Sequence, residues 1–239
     1  IDHGKRAEIG YFRYAMKNSA IRPKDAATLA LIRRDGETAS VLMGQRGKEQ
    51  VFMPERYVFP GGGVEVCDRY VRPAGELRAG VARRVARSCT LARARSLAAA
   101  AIRETFEETG LMLAAPGAPP HHKVRPEWRG FQECDLAPSL DKLDYIYRAV
   151  TPPGSPRRFN ARFFMAFAED LHGEITGNGE LHDIAWVPIA EALKMPIPRI
   201  TGVVLREIDR LLHDPAPRDK VDATPFFRRV GKKYILKME

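Results

Sequence analysis

The chain has 239 residues, 44% hydrophobic and 29% charged, which suits one large globular domain, or a small one with decorations, of ordinary soluble composition. No apolar run approaches the roughly 20 residues of a membrane-spanning helix, which excludes a helical membrane protein. The net charge of +9 attracts phosphate groups, but charge alone does not choose among nucleic acid, membrane surface and small metabolites.

Cys67, Cys89 and Cys134 form no CxxC pair. This argues against a disulfide framework and a zinc site, and for the reduced thiols of a cytoplasmic protein. The opening Ile1-Asp2-His3-Gly4-Lys5-Arg6 holds no apolar signal core, and Lys237-Met238-Glu239 is no peroxisomal address, so cytoplasmic location is the expectation.

In chain order, Asp25 to Arg33 reads as a buried strand. Thr38 to Gln45 reads as its hairpin partner across the turn Asp35-Gly36. The apolar run Tyr57-Val58-Phe59 is stopped by Pro60-Gly61-Gly62-Gly63. Glu76 to Thr90, rich in Ala and Arg, predicts a helix. A second helix runs from about Ser96 to Thr109, with Gly110 as its stop. Leu111 to Leu113 leaves that helix as a strand, and residues 115–122 are loop. His121 and His122, beside Pro119 and Pro120, are neighbours on a turn and do not make a metal site by themselves. Leu143 to Val150 and Arg158 to Ala168 predict two strands joined by Pro152-Pro153-Gly154, and Ile184 to Val187 a further short one. Residues 189–195 and 201–213 read as helices, and Pro225 to Leu236 as an added hairpin. There is no internal repeat and no regular βαβ rhythm. The pattern predicts an α+β sandwich around a mixed sheet.

The stretch with chemical content is Arg103-Glu104-Thr105-Phe106-Glu107-Glu108-Thr109-Gly110-Leu111. On a helix Glu104, Glu107 and Glu108 stand at i, i+3 and i+4, so three carboxylates share a face while Ala98, Ala101, Ile102, Thr105 and Thr109 form the packing face. An isolated ExxEE is usually a solvated acidic face. Here Phe59-Pro60-Gly61-Gly62 precedes it, and glycines let a backbone approach an ion or phosphate closely. Carboxylates in such a cluster suit Mg²⁺, which takes oxygen ligands and bridges them to phosphates. Arg103 is placed to orient its acidic neighbours.

These residues resemble the box of the Nudix hydrolase superfamily, G-x5-E-x7-R-E-U-x-E-E-x-G-U, with U a bulky aliphatic residue. Its second half matches from Arg103 to Leu111, with Thr105 where an aliphatic residue is usual. Its first half starts at Gly62, with Asp68 in the slot of the usual Glu. Between Asp68 and Arg103 lie 34 residues, 27 more than in the family pattern. Such an insertion can loop out if its ends lie close together, since closure entropy grows by only about 0.6 kcal/mol per doubling of length. Further stretches, Val41 to Arg46, Phe52-Met53-Pro54, Tyr57 to Gly62, Thr151-Pro152-Pro153 and Arg157 to Phe164, are similar to the branch that contains a mammalian peroxisomal coenzyme A diphosphatase with an inserted box. The resemblance covers roughly residues 25–215. It leaves an N-terminal extension over 1–24, an insertion at about 69–95 and a C-terminal extension over 216–239.

The resemblance implies a Nudix-type α/β/α sandwich with a central mixed sheet and a helical segment inserted in the box. It implies Mg²⁺ or Mn²⁺ held by Glu104, Glu107, Glu108, a carbonyl near Gly62, and Glu180, six residues before Trp186. It implies Glu104 as the base, with Glu180 as second choice, and Arg103 beside them. Arg46, Arg157, Arg158 and Arg162 are the expected phosphate grips. The substrate implied is a nucleotide-type small molecule, coenzyme A or a derivative. The alternatives are ADP-ribose, a dinucleotide or a nucleotide sugar. A non-catalytic nucleotide- or RNA-binding module is the reading from another class, and the lack of an aromatic-rich basic stripe weighs against nucleic acid. The arginine-rich insertion, with Leu77, Val81 and Val85 at helical spacing, is expected to be a lid, a homodimer contact or a solvated helix.

Overall fold

In a computed structural model of the chain, the residues described are 21–36, 38–117, 125–214, 221–230 and 233–239. The loop containing His121 and His122 lies outside them. The strands are β1 (Lys24–Asp35), β2 (Thr38–Arg46), β3 (Tyr57–Val58), β4 (Gly61–Gly63), β5 (Met112–Pro116), β6 (Leu136–Pro138), β7 (Asp144–Val150), β8 (Phe159–Phe167), β9 (Leu171–His172), β10 (Leu181–Pro188), β11 (Pro225–Val230) and β12 (Lys233–Met238). The helices are α1 (Ala79–Ala86), α2 (Leu91–Thr109), α3 (Arg129–Glu133), α4 (Ile189–Ala192) and α5 (Arg199–His213).

Among the described residues a nine-stranded mixed sheet runs in the order β10-β2-β1-β8-β7-β11-β12, with β3 on β2 and β4 on β1. The pairs β1–β8 and β7–β11 are parallel and the other pairs antiparallel. A smaller sheet, β6-β5-β9, stands apart from it. β1 splits its edge between two partners: Ile32 to Asp35 pair with β2, and Ala26 to Thr28 pair with the glycines of β4.

Alternation along β1 sorts the core into two layers. Ala27, Leu29 and Leu31 pack with Val81 and Val85 of α1 and with Leu97, Ala98, Ala101 and Ile102 of α2. Ala30 and Ile32 face the other way, onto Ile189 and Ala192 of α4 and Val204, Leu205 and Ile208 of α5. The result is the expected sandwich, a mixed sheet with helices on both faces.

The inserted segment differs from expectation in detail. Its helix is only Ala79–Ala86, and α2 starts at Leu91 rather than near Ser96. The Thr90 side chain accepts from the Arg93 N–H at 3.1 Å, a capping bond that fixes the earlier start. The arginines of this segment largely anchor it. Arg93 pairs with Asp25 at 2.8 Å, Arg95 with Glu76 at 3.0 Å, and Arg78 with Asp144. Arg84 is buried at 6% exposure.

α2 ends where its sequence says it should. Gly110 takes a left-handed φ of 79° and its N–H donates to the Phe106 carbonyl at 2.8 Å. A side chain there would press on the Glu174 carbonyl and the Thr176 hydroxyl. Gly110→Ala is therefore expected to cost about 1–3 kcal/mol in urea unfolding. Gly63→Ala, where an added methyl meets nothing within 4 Å, should stay within about 0.5 kcal/mol of the parent. Equal behaviour of the two variants would contradict the assigned role of Gly110.

Candidate active site

Glu104 and Glu108 stand one helical turn apart on α2 and line a cleft of 530 Å³. Opposite them lies β4, made entirely of glycine. The Gly61 N–H donates to Glu108 Oε2 at 2.9 Å. A methyl group at Gly62 would overlap the Glu104 carboxylate, and one at Gly61 would sit 2.6 Å from the Ala27 carbonyl oxygen. Gly61 and Gly62, without side chains, thus leave a window beside β1. Through it two carboxylates of the helix packed on one face reach a cleft whose other walls include Ala26 and Thr28.

Arg103 fixes this arrangement. It is 1% exposed, and its partner Asp68 is fully buried. Arg103 donates to Asp68 at 2.8 and 3.2 Å, to the Gly63 carbonyl at 2.8 Å and to Glu107 at 2.7 Å, and pairs with Glu104 at 3.0 Å. Asp68 sits in a 3-10 turn, Cys67–Arg69, and also accepts from the Glu65 N–H at 2.7 Å. The shorter acid therefore reaches across the insertion to the arginine. Thr105, the departure from an aliphatic residue, is fully buried and donates to the Ala101 carbonyl at 2.8 Å, so its hydroxyl is satisfied within the helix.

Burial pushes the Glu108 carboxyl up to about 8, against the opposing effect of the Gly61 N–H, with the negative charges of Glu104 and Glu180 adding to the rise. Burial likewise raises Glu104 to about 7, opposed by Arg103 and reinforced by Glu107. These acids are held together at an electrostatic cost that a bound cation would relieve.

The expected residues divide into those that converge on the cleft and those that do not. Glu104, Glu108, Glu180, Gly62, Arg46 and Arg157 line it. Arg46 donates to Gln50, and its Nε has no hydrogen-bond partner among the described residues. Glu107 is not part of the lining. At about 100° per residue it lies roughly 60° to one side of Glu104 while Glu108 lies about 40° to the other, and Arg103 holds it there. Arg158 donates to the Thr151 and Ile21 carbonyls, outside the lining. Arg162 is fully buried, pairs with Asp25, and donates to the Asn160 carbonyl and Ser88. It tethers strands instead of gripping phosphate. No residue of the inserted segment 69–95 lines the cleft, which removes the basis for a lid.

Several lining residues gave no signal along the sequence. Arg199, Ile200 and Thr201 come from the start of α5, and Phe227 and Tyr234 from the C-terminal hairpin. Cross-strand register brings the hairpin in: Ala26 opposes Ala161, Ala161 opposes Ala149, and Ala149 opposes Phe227. That row carries small side chains from β1 to β7 and an aromatic wall on β11. A second acidic group, Glu65, Cys67 and Glu127, also brings its ligand atoms within 4.8 Å of one another. Burial pushes its thiol up to about 12, and a protonated thiol is a poor partner for a hard cation.

Comparison with known proteins gives the family. The NUDIX domain family model matches residues 22–207. A Caenorhabditis elegans relative, "Putative nudix hydrolase 7", is 25% identical over 166 residues, which are 65% of this chain and 49% of the relative, so the chain spans about half that protein's length. The crystal structure of a NUDIX hydrolase from Alicyclobacillus acidocaldarius superposes with a TM-score of 0.58 at 27% identity, covering 78% of this chain and 91% of that one. With the family pattern running through most of its length, the chain belongs to the NUDIX family.

Proposed function

We propose that this chain is a metal-dependent diphosphohydrolase, cutting the diphosphate linkage of a nucleotide-containing small molecule, with coenzyme A or a derivative as the preferred substrate class. The observation that carries this reading is the pair Glu104 and Glu108, held against Gly61 and Gly62 at one end of a cleft lined also by Arg46. The likeness to the coenzyme A diphosphatase branch supports the substrate class. So does the rest of the lining, where Phe52, Met53, Pro152, Phe159 and Phe163 offer apolar surface to a long uncharged arm.

The donor set fits Mg²⁺ or Mn²⁺. It consists of the carboxylates of Glu104, Glu108 and Glu180, with the Gly62 backbone on the same lining, all offering hard oxygen ligands. When bound, such ions supply Lewis-acid polarisation of the diphosphate. Arg46 holds a substrate phosphate oxygen. Glu104, raised into the neutral range, takes the proton of the attacking water. The new bond forms from that water oxygen to phosphorus, and the bridging P–O bond breaks, leaving two phosphorylated products. Arg103 and Asp68 act through Glu104 as positioning residues, setting the carboxylate's direction.

Glu108→Gln should abolish Mg²⁺-dependent turnover in an assay with coenzyme A, ADP-ribose and a dinucleotide, and should remove the Mg²⁺-induced rise in Tm. The same variant should be the more stable protein without metal at pH 8. The folded-state pKa of Glu108 lies above its ordinary 4.5. The folded chain therefore retains a proton that the unfolded chain releases, and stability falls as pH rises from about 4.5 to about 8. Thermal scans at pH 5 and pH 8 should show that loss in the parent and a smaller one in Glu108→Gln. Parallel curves would contradict the assigned electrostatics.

Asp68→Ala leaves Arg103 without its buried counter-charge and should cost roughly 3–5 kcal/mol of stability. Asp68→Asn, closer in shape, should fold and lose about tenfold or more in kcat with little change in KM. Undiminished kcat in a folded Asp68→Asn enzyme would show that Arg103 does not position Glu104.

A further inference from the structure

The cleft has a basic feature that diphosphate cleavage does not use. α5 begins at Arg199, and Pro198, Arg199, Ile200 and Thr201 all line the cleft. The first turn of this 15-residue helix carries no acidic residue, and no side chain caps it. Its leading N–H groups point outward from the helix start, where partial positive charge gathers. Two side chains add to it. Thr201 is 4% exposed, and its hydroxyl has no hydrogen-bond partner among the described residues.

The Arg199 guanidinium lies over the Tyr234 ring, 4.7 Å from its centroid. Tyr234 in turn stacks on Phe227 at 5.2 Å with the rings 8° from parallel. A guanidinium stacked on an aromatic face keeps its N–H donors free in its own plane. Among the described residues no acid pairs with Arg199. The hairpin that supplies the rings is itself fixed to the sheet. Phe226 to Arg228 pair with Arg148 to Val150, and Arg148 binds the Glu239 carboxylate at 2.9 and 3.0 Å.

We infer that Arg199, Thr201 and the first turn of α5 form an anion subsite, which receives a phosphoryl group on the substrate remote from the diphosphate under attack. This rests on the proposed hydrolysis for its place in catalysis, and it narrows the substrate class to diphosphates bearing a further phosphomonoester. The C-terminal hairpin serves the subsite by backing Arg199 with Tyr234 and Phe227. A cleft-lining threonine hydroxyl without a partner, a cation over an aromatic ring without an acid and an uncapped helix start on one cleft wall match a tetrahedral anion with several acceptor oxygens.

The test is calorimetric titration of metal-free protein with adenosine 3′,5′-bisphosphate and with adenosine 5′-phosphate, run beside turnover of coenzyme A and dephospho-coenzyme A. The expected result is tighter binding of the bisphosphate by about tenfold or more, worth about 1.4 kcal/mol per factor of ten. Arg199→Gln should erase that preference and Thr201→Val should reduce it. Tyr234→Ala should weaken it in the same direction. Leu236→Ala, on the same hairpin but outside the cleft, should keep it. Equal affinity of the parent for the two nucleotides, or an unchanged preference in Arg199→Gln, would overturn the subsite. A parent that shows the binding preference but turns over none of the diphosphates would instead overturn the hydrolase reading and leave the subsite standing.

Discussion

A single buried guanidinium organises this site. Arg103 contacts the Gly63 carbonyl on the glycine strand, Asp68 in the turn that follows, and Glu104 and Glu107 on its own helix. It therefore ties three pieces of chain that must converge for two carboxylates to face a glycine backbone. Removing a charge of this kind from water is expensive, and only a close-fitting set of acceptors offsets it. Here Asp68 takes two N–H groups, the Gly63 carbonyl and Glu107 take one each, and the Glu104 carboxylate lies 3.0 Å from the same guanidinium. The insertion between Asp68 and Arg103 is tolerated because this ion pair closes its ends, while Val81 and Val85 bury the intervening helix against α2.

Around that clamp the molecule concentrates charge that its fold alone does not need. Glu108 is 3% exposed and accepts from a backbone N–H, yet burial and its acidic neighbours still hold its carboxyl far above the ordinary range. Ordinary packing would favour an apolar residue at such a place. Groups whose pKa is shifted by burial and like charge, gathered in a cleft, mark functional sites more often than structural ones. The glycines of β4 belong to the same arrangement, since a side chain at Gly62 would occupy the space of the Glu104 carboxylate.

Much of this could be read along the chain, because it depends on local spacing. The ExxEE ridge, the Gly110 stop and the β1–β2 hairpin each join neighbours in sequence, and each carries its own turn or period signal. Arginine roles could not be read that way. Arg162 and Arg46 look alike in sequence, yet one is buried against Asp25 and the other faces the cleft. Strand parity and register decide between them, and a one-residue shift of pairing would exchange the faces. Glu107 shows the same limit on a helix. It shares the acidic stripe with Glu104 and Glu108, but Arg103 claims it and the cleft takes only its neighbours. Phe227 enters the site through the alanine row across β1, β8 and β7, a relation among four strands that no local pattern encodes.

The central claim is that Glu104 and Glu108, presented through the glycine strand, gather divalent cations. Anomalous diffraction from crystals grown with Mn²⁺ tests it most directly. The account predicts density beside those two carboxylates, within ligand distance of the Gly61–Gly62 backbone or Glu180. Density confined to the Glu65, Cys67 and Glu127 group, or none near α2 at saturating Mn²⁺, would contradict it.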